Sequence, residues 1–401
     1  MQAPISYSTF RAFQPHFNSL ARVGYFKLVK TPSSPRKLVL HNWYRALIWF
    51  FVLSYNLQHV IKVIQTRNNT DRMMDILYIL LTTLNTLGKQ VALNARVGRV
   101  DRIIAVINGS HFAPKNPVHV EILKENEKAM ARLLALFQTM VLLACFFFGI
   151  SPTVNKAIGQ EIYLQAYFPF DTSGSPVLEI AMWYLSFNLT VQAWGNSTMD
   201  CMVAAFYSMA KTQLRLLRYN LEHLVDLNNR PDDGRDDDEE REPYNDSRVI
   251  QERLKQCVLH HRQILWFMKE VESIFCESMT VQFLVMAWVI CMTMYKIVGF
   301  TIVSAELVTT LIYLNCMLSQ LFIYCYFGSQ VKVESDFVSQ SVYCSKWTRL
   351  SPKFRRQLLV LMQCSLRPIM PCAAKIVPIS LETYIAVLKA SYTLFTILDK
   401  K

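Results

Sequence analysis

The chain has 401 residues, of which 52% are hydrophobic and only 18% charged. A soluble domain carries nearer a quarter charged residues, so the apolar excess has to face something other than water, and lipid is the natural medium. Glycine is scarce at 11 residues, aromatics reach 12%, and mean hydropathy is positive. These values exclude a disordered chain, a collagen-like chain and a disulfide-rich miniprotein, and they argue against a simple cytosolic enzyme. Net charge is +12. The cations lie in the gaps between apolar runs, which fits membrane topology rather than a nucleic-acid patch.

Residues 1–41 carry Arg11, Arg22, Lys27, Lys30, Arg36 and Lys37 with no acid and no apolar run long enough for a cleavable signal. The first hydrophobic segment, 43–63, is therefore expected to stay as a signal anchor. Six further segments follow at about 73–94, 130–151, 177–212, 274–296, 299–328 and 372–398. Crossing ~30 Å of hydrocarbon takes about 20 helical residues. The fourth segment is too long for that, so it is expected to run on as helix beyond the bilayer. The reading is an all-α integral membrane protein with seven transmembrane helices. With the N-terminus inside, the gaps 1–41, 95–129, 211–270 and 329–371 hold most of the Lys and Arg, and the other side holds Arg67, Arg72, Lys156, Lys296, Lys400 and Lys401. Positive charge collects in the cytoplasm, which predicts a cytoplasmic N-terminus and an extracellular C-terminus.

The organisation expected is a cytoplasmic N-terminal segment (1–41) and helices one to four (42–212), then a cytoplasmic loop with helix extensions (213–270) and helices five and six (271–328). A cytoplasmic region (329–371) and a last helix with its tail (372–401) complete it. Residues 228–247 are dense in Asp and Glu with Pro231, Gly234 and Pro243, and read as a solvated, disordered loop. No calcium-loop ladder, Cys-x-x-Cys or zinc spacing occurs, so neither a metal nor a cofactor is expected. The ten cysteines read as free thiols, and His260-His261 as structural. Of the sequons, Asn68 falls in the first outside loop and is the glycosylation candidate; Asn108, Asn188, Asn196 and Asn245 read as chance matches.

Enzyme chemistry finds no support: there is no phosphate-cradling glycine loop, Gly-x-Ser-x-Gly elbow or His-Glu-x-x-His. Polar residues inside apolar segments are the better lead, because lipid makes them costly. Lys89 and Asp200 are two, each open to a structural or a functional reading. In the last segment Glu382, Ala386, Lys389, Thr393 and Thr396 follow a 4-3-4-3 spacing and form one stripe, beside Ser391 and Tyr392. Such a stripe must face protein or water, so it either lines a pore or packs against another helix. Aromatic-rich positions (Tyr78, Phe146, Phe147, Met182, Trp183, Tyr184, Trp288) suit an apolar ligand cleft or an interfacial belt.

Three stretches carry a family resemblance. They are Tyr167-Phe-Pro-Phe-Asp-Thr-Ser-Gly-Ser-Pro176, then Leu321-Phe-Ile-Tyr-Cys-Tyr-Phe-Gly-Ser329 with Glu334-Ser335 and Tyr343…Trp347. The third runs from Arg355-Arg-Gln-Leu through Arg367-Pro368 and Ser380-Leu-Glu-Thr-Tyr384 to Ala390-Ser-Tyr-Thr-Leu-Phe-Thr-Ile-Leu398. They resemble the insect odorant receptors. Gustatory receptors usually carry Gln-Phe where this chain has Ala390-Ser391, and the obligate co-receptor has a longer loop between helices four and five. The chain therefore looks like a ligand-tuned, divergent subunit.

The resemblance implies a non-selective cation channel gated by a small hydrophobic volatile, formed as a heterotetramer with the shared co-receptor in the plasma membrane of an olfactory neuron dendrite. A cytoplasmic anchor including a helix at about 351–369 would hold the subunits together, and the helix at 372–398 would line the pore. By motif position the gate falls at Ser391, Tyr392 and Phe395, with Lys389 awkward for a cation pore. Candidate ligand contacts, chosen by depth in the outer half, are Tyr78, Phe146, Gly149, Ile150, Met182, Ser186 and Leu307. Rival classes are a gustatory-type channel and a G-protein-coupled receptor. The second requires the opposite orientation and an Asn-Pro-x-x-Tyr that is absent.

Overall fold

A computed structural model describes residues 7–28, 35–157, 159, 163–172, 174–224, 243–298, 305–374 and 376–399. Among the described residues ten α-helices run in chain order: α1 Gln14–Arg22, α2 Pro35–Gln65, α3 Thr70–Ala95, α4 Val97–Ile107, α5 Pro117–Ala157, α6 Val177–Glu222, α7 Pro243–Val298, α8 Ala305–Cys344, α9 Pro352–Ser365 and α10 Leu381–Asp399. A two-stranded antiparallel hairpin, β1 Cys372–Ala373 and β2 Val377–Pro378, precedes α10. Helices α2, α3, α5, α7 and α8 are long and apolar enough to cross a membrane. The other two expected crossings are α6, which carries several polar residues along its length, and α10. In α6, Asn188, Gln192, Ser197, Thr198 and Asp200 are all buried, so their polarity meets protein and not hydrocarbon.

Local sequence sets the helix ends. Pro35, Pro117 and Pro352 open their helices, where a fixed φ fits and the missing N–H costs nothing. Asn69 caps α3 by accepting from the Arg72 N–H at 3.1 Å. At 1.5 Å per residue the 46 residues of α6 and 56 of α7 reach about 69 and 84 Å. Both run far past any bilayer, as expected for the fourth segment. At this basic end α6 and α8 are pinned by Arg218, which meets Glu334 at 2.5 Å and the Ser341 hydroxyl at 3.0 Å. The Ser341 hydroxyl itself donates to Glu222 at 2.6 Å.

Two expectations change. The seventh segment is not helical from residue 372: Pro371 and Pro378 withhold backbone donors, so the chain forms the hairpin and the helix begins at Leu381. Of the acidic stretch, residues 243–247 form the first turn of α7 instead of loop, and 228–242 lie outside the described residues. Residues 7–28 are no bare tail. Phe13, Phe17, Tyr25 and Phe26 are fully buried in the core, and Gly195 of α6 is bare enough that a Cβ there would collide with the Tyr25 ring. The Ser19 hydroxyl accepts from Gln138 of α5 at 2.9 Å and from the Trp194 indole at 2.8 Å.

His16, His119 and His260 are buried at the basic end, His260 bonded to Gln213 at 2.8 Å beside Phe112. Burial pushes His16 and His119 down to about 4, and burial with nearby Lys115 pushes His260 down to about 3. The folded chain keeps them neutral, whereas the unfolded chain takes up protons below about 6.5. Stability is therefore full above that pH and falls as the solution acidifies toward 4, by roughly 1.4 kcal/mol per histidine per pH unit. The melting temperature of the detergent-purified protein should drop between pH 7 and pH 5, and His260→Gln should flatten that slope.

Candidate functional site

At the end of the bundle away from the basic extensions, an aromatic cluster gathers between α2, α3, α5, α6 and α8. Tyr55 of α2 is buried and stacks against His59 one turn on, ring centroids 4.2 Å apart. The pair is held by a 2.9 Å bond between the His59 imidazole and the Tyr55 carbonyl. Tyr55 is within electrostatic reach of Tyr78, Cys145 and Tyr184. Tyr78 meets Tyr313 of α8 edge-on at 5.4 Å. Lys296 pairs with Asp75 at 2.8 Å and lies 5.9 Å from the Tyr78 ring. Tyr184 joins Phe51 at 6.4 Å and Phe168 of the Tyr-Phe-Pro-Phe-Asp loop at 6.1 Å.

Of the seven expected contacts, Tyr78 is within this cluster, Met182 is buried on α6, and Gly149 backs onto Ser186, whose hydroxyl would stand 3.3 Å from an added Cβ. Leu307 is half-buried near the start of α8. Phe146 and Ile150 point the other way: at 60% and 39% exposed they lie on the outer face of α5. Depth alone could not separate the two faces. Tyr55, His59 and Tyr313 were missed; the readable signal was an aromatic and a histidine four residues apart inside an apolar helix.

Below the cluster, Lys89 and Asp200 meet at 2.5 Å with both side chains buried. Lys89 also donates to Asn196 at 2.9 Å, while Gln320 and the Tyr324 hydroxyl donate to the Asp200 carboxylate. Every group of the pair is answered, which is what a charge in a low-dielectric interior requires. The network fastens α3, α6 and α8 together.

Helix α10 packs on α7 and α8. Its entry is held by the Ser329 hydroxyl, which accepts from the Leu381 N–H at 2.9 Å, and by Gly328, which lies against the Ile379 carbonyl with no room for a side chain. Tyr384 meets Phe322 edge-on at 5.7 Å. The polar stripe is uncovered: Glu382, Ala386, Lys389 and Thr393 are all exposed. That rules out burial of the stripe within a single chain. The three gate positions separate. Tyr392 is exposed at 58%. Ser391 is buried, its hydroxyl donating to the Ala287 carbonyl of α7 at 3.3 Å, so it is a packing residue facing away from the stripe. The Phe395 side chain lies outside the described residues. Asn68 is exposed beside the start of α3, whereas Asn188 is buried and Asn196 is occupied by Lys89.

Membrane-length helices, an enclosed aromatic cluster and a polar helix face left bare define a multi-pass helical membrane receptor. The family model for the 7tm odorant receptor matches residues 69–392, and the chain belongs to that family. Odorant receptor Or1 of Anopheles gambiae is 21% identical over 383 residues, covering 90% of this chain and 88% of that protein. Odorant receptor 46a, isoform A, of Drosophila melanogaster is 22% identical over 321 residues, 80% of each. The fold is similar to the solved structure of the olfactory receptor OR5 from Machilis hrabei in complex with eugenol, with a TM-score of 0.82 at 13% identity over 97% of both chains.

Removing one partner of a buried pair leaves the other charge uncompensated, at about 3–5 kcal/mol. Lys89→Met should therefore lower the melting temperature and surface expression sharply. Lys89→Met combined with Asp200→Asn should recover part of the loss, measured by thermal unfolding of the purified protein.

Proposed function

We propose that this odorant receptor is the ligand-tuned subunit of an odorant-gated, non-selective cation channel, assembled with the shared odorant receptor co-receptor in the plasma membrane. The observation that carries the reading is the uncovered polar face of α10. Lipid does not tolerate Glu382, Lys389 and Thr393 on one side of a spanning helix, so neighbouring subunits must complete the surroundings and enclose an aqueous path between their α10 helices.

The ligand is a small, mostly apolar volatile seated among Tyr55, Tyr78, Gly149, Met182, Ser186 and Tyr313. Burial of its surface supplies the affinity, at ~25 cal/mol per Å², and the eugenol complex of the solved relative supports a molecule of that size. Helix α8 carries the effect to the pore. Its Tyr313 touches Tyr78, its Gln320 and Tyr324 hold the buried pair, and its Phe322 and Gly328 contact the base of α10. A ligand that fits better when α8 has shifted favours the open arrangement by its difference in affinity between the two states. Lys389 on the exposed stripe repels cations, so this subunit contributes less to conduction than its partners. Cytoplasmic placement of the N-terminus rests on the Lys and Arg distribution and puts Asn68 outside.

Whole-cell recordings under a volatile panel should give a fast cation current only when this chain and the co-receptor are expressed together. Ligand-dependent signalling through G proteins without the co-receptor would overturn the reading. In the heteromer, Lys389→Gln should raise unitary conductance and Tyr392→Ala should alter gating, while the ranking of volatiles stays unchanged. Peptide N-glycosidase should shift the wild-type band and leave Asn68→Gln unshifted; an unmodified Asn68 with an externally accessible N-terminal tag would reverse the orientation.

A further inference from the structure

A groove of about 460 Å³ lies between α1 and α5, where the apolar span of α5 begins. Its lip carries Arg11, Asn18 and Arg22; its wall is Ala131 and Ala135 of α5; Trp194 of α6 lies behind, its indole committed to Ser19. Among the described residues neither arginine has a carboxylate partner: Arg11 rests 5.6 Å over the Tyr7 ring, and the one acid in the lining, Glu127, accepts from the Tyr7 hydroxyl at 2.7 Å. Residues 7–28 contain no acid at all.

On the next face of α5, Lys124, Lys128 and Arg132 recur every fourth residue and are exposed, with no ion pair among the described residues; of the two acids on that groove, Glu121 is exposed and Glu125 lies 3.4 Å from Arg215. One turn beyond Arg132 the helix turns abruptly apolar, and Leu136 is 73% exposed with Leu143 behind it. A cationic lip with a tryptophan behind it and, one turn past the neighbouring Arg132, a bare leucine face match a phospholipid: phosphate at the arginines, acyl chain along the leucines.

We infer that the α1–α5 groove seats the headgroup of an anionic phospholipid, which clamps the N-terminal segment against the bundle. The occupant is a membrane lipid and not a free anion, because Arg132 beside the groove is followed one turn on by the bare Leu136, with Leu143 on the same face of the span. The inference rests on the membrane placement of α5. Which leaflet supplies the lipid follows from the orientation given under Proposed function, and the test does not depend on it.

The test reconstitutes the full chain into nanodiscs of phosphatidylcholine with phosphatidylserine in both leaflets, then counts retained lipids by native mass spectrometry after detergent release. Wild type should retain phosphatidylserine over phosphatidylcholine. Arg11→Gln with Arg22→Gln should loosen that retention about thirtyfold, from the attraction of two cations to an anionic surface. Arg11→Lys with Arg22→Lys should restore it, which separates lost charge from lost folding. As a control away from the groove, Lys62→Gln should change nothing. Equal retention of both lipids by wild type, or no loss in the double glutamine variant, would overturn the proposal. Displacement of the lipid by soluble glycerophosphoserine at equal concentration would show that the groove reads a free anion, and would overturn it as well.

Discussion

A lysine and an aspartate share one buried site between α3, α6 and α8, and the bundle is arranged around keeping them together. An ion pair in such surroundings survives only when its remaining donors and acceptors are met. Asn196, Gln320 and Tyr324 meet them, and each comes from a helix that must hold its register to within a fraction of a turn. A sliding of α8 by one turn would strip Asp200 of two donors. The network therefore limits how α8 can move, and α8 is the helix that touches both the aromatic cluster and the base of α10. A second polar tie, Asn85 to Gln282, fastens α3 to α7 in the same way.

The division of labour along the long helices follows from what surrounds them. In the spans, helices meet through aromatic rings and a few satisfied polar groups, and large side chains such as Trp183, 77% exposed, are left for lipid. At the basic end the same helices meet through charge, with Arg218 and Glu334 joining α6 to α8 and Arg96 and Arg99 reaching α7. Water can solvate whatever such contacts leave over, so charge is affordable there and not in the spans. The N-terminal segment bridges both regimes: its aromatic residues enter the core, and its arginines stay at the rim.

Helix α10 is covered on one side only. One face packs on α7 and α8, and Ser391 is spent on that packing. The other face is polar and bare, an arrangement stable only beside further chains or water. Two neighbouring residues, Ser391 and Tyr392, therefore have opposite fates, since successive residues on a helix point about 100° apart.

The number, position and apolar character of the long helices were legible in the sequence, because spans and their basic gaps are dictated by chain-local hydrophobicity and charge. So were the stripe on α10, whose spacing is helical, and Lys89 and Asp200 as residues out of place in lipid. Their partnership was not, because 111 residues separate them and only packing brings α3 against α6. Nor was the side of α5 that faces the aromatic cluster: Gly149 and Phe146 lie at similar depth, and only the neighbouring helices decide which is inside. The burial of residues 7–28 was hidden because α1 is only nine residues long and largely polar, and a helix so short is stabilised by tertiary contact. Composition and periodicity determined that this chain is a helical membrane protein; which residues meet at its centre was decided by the approach of helices distant in sequence.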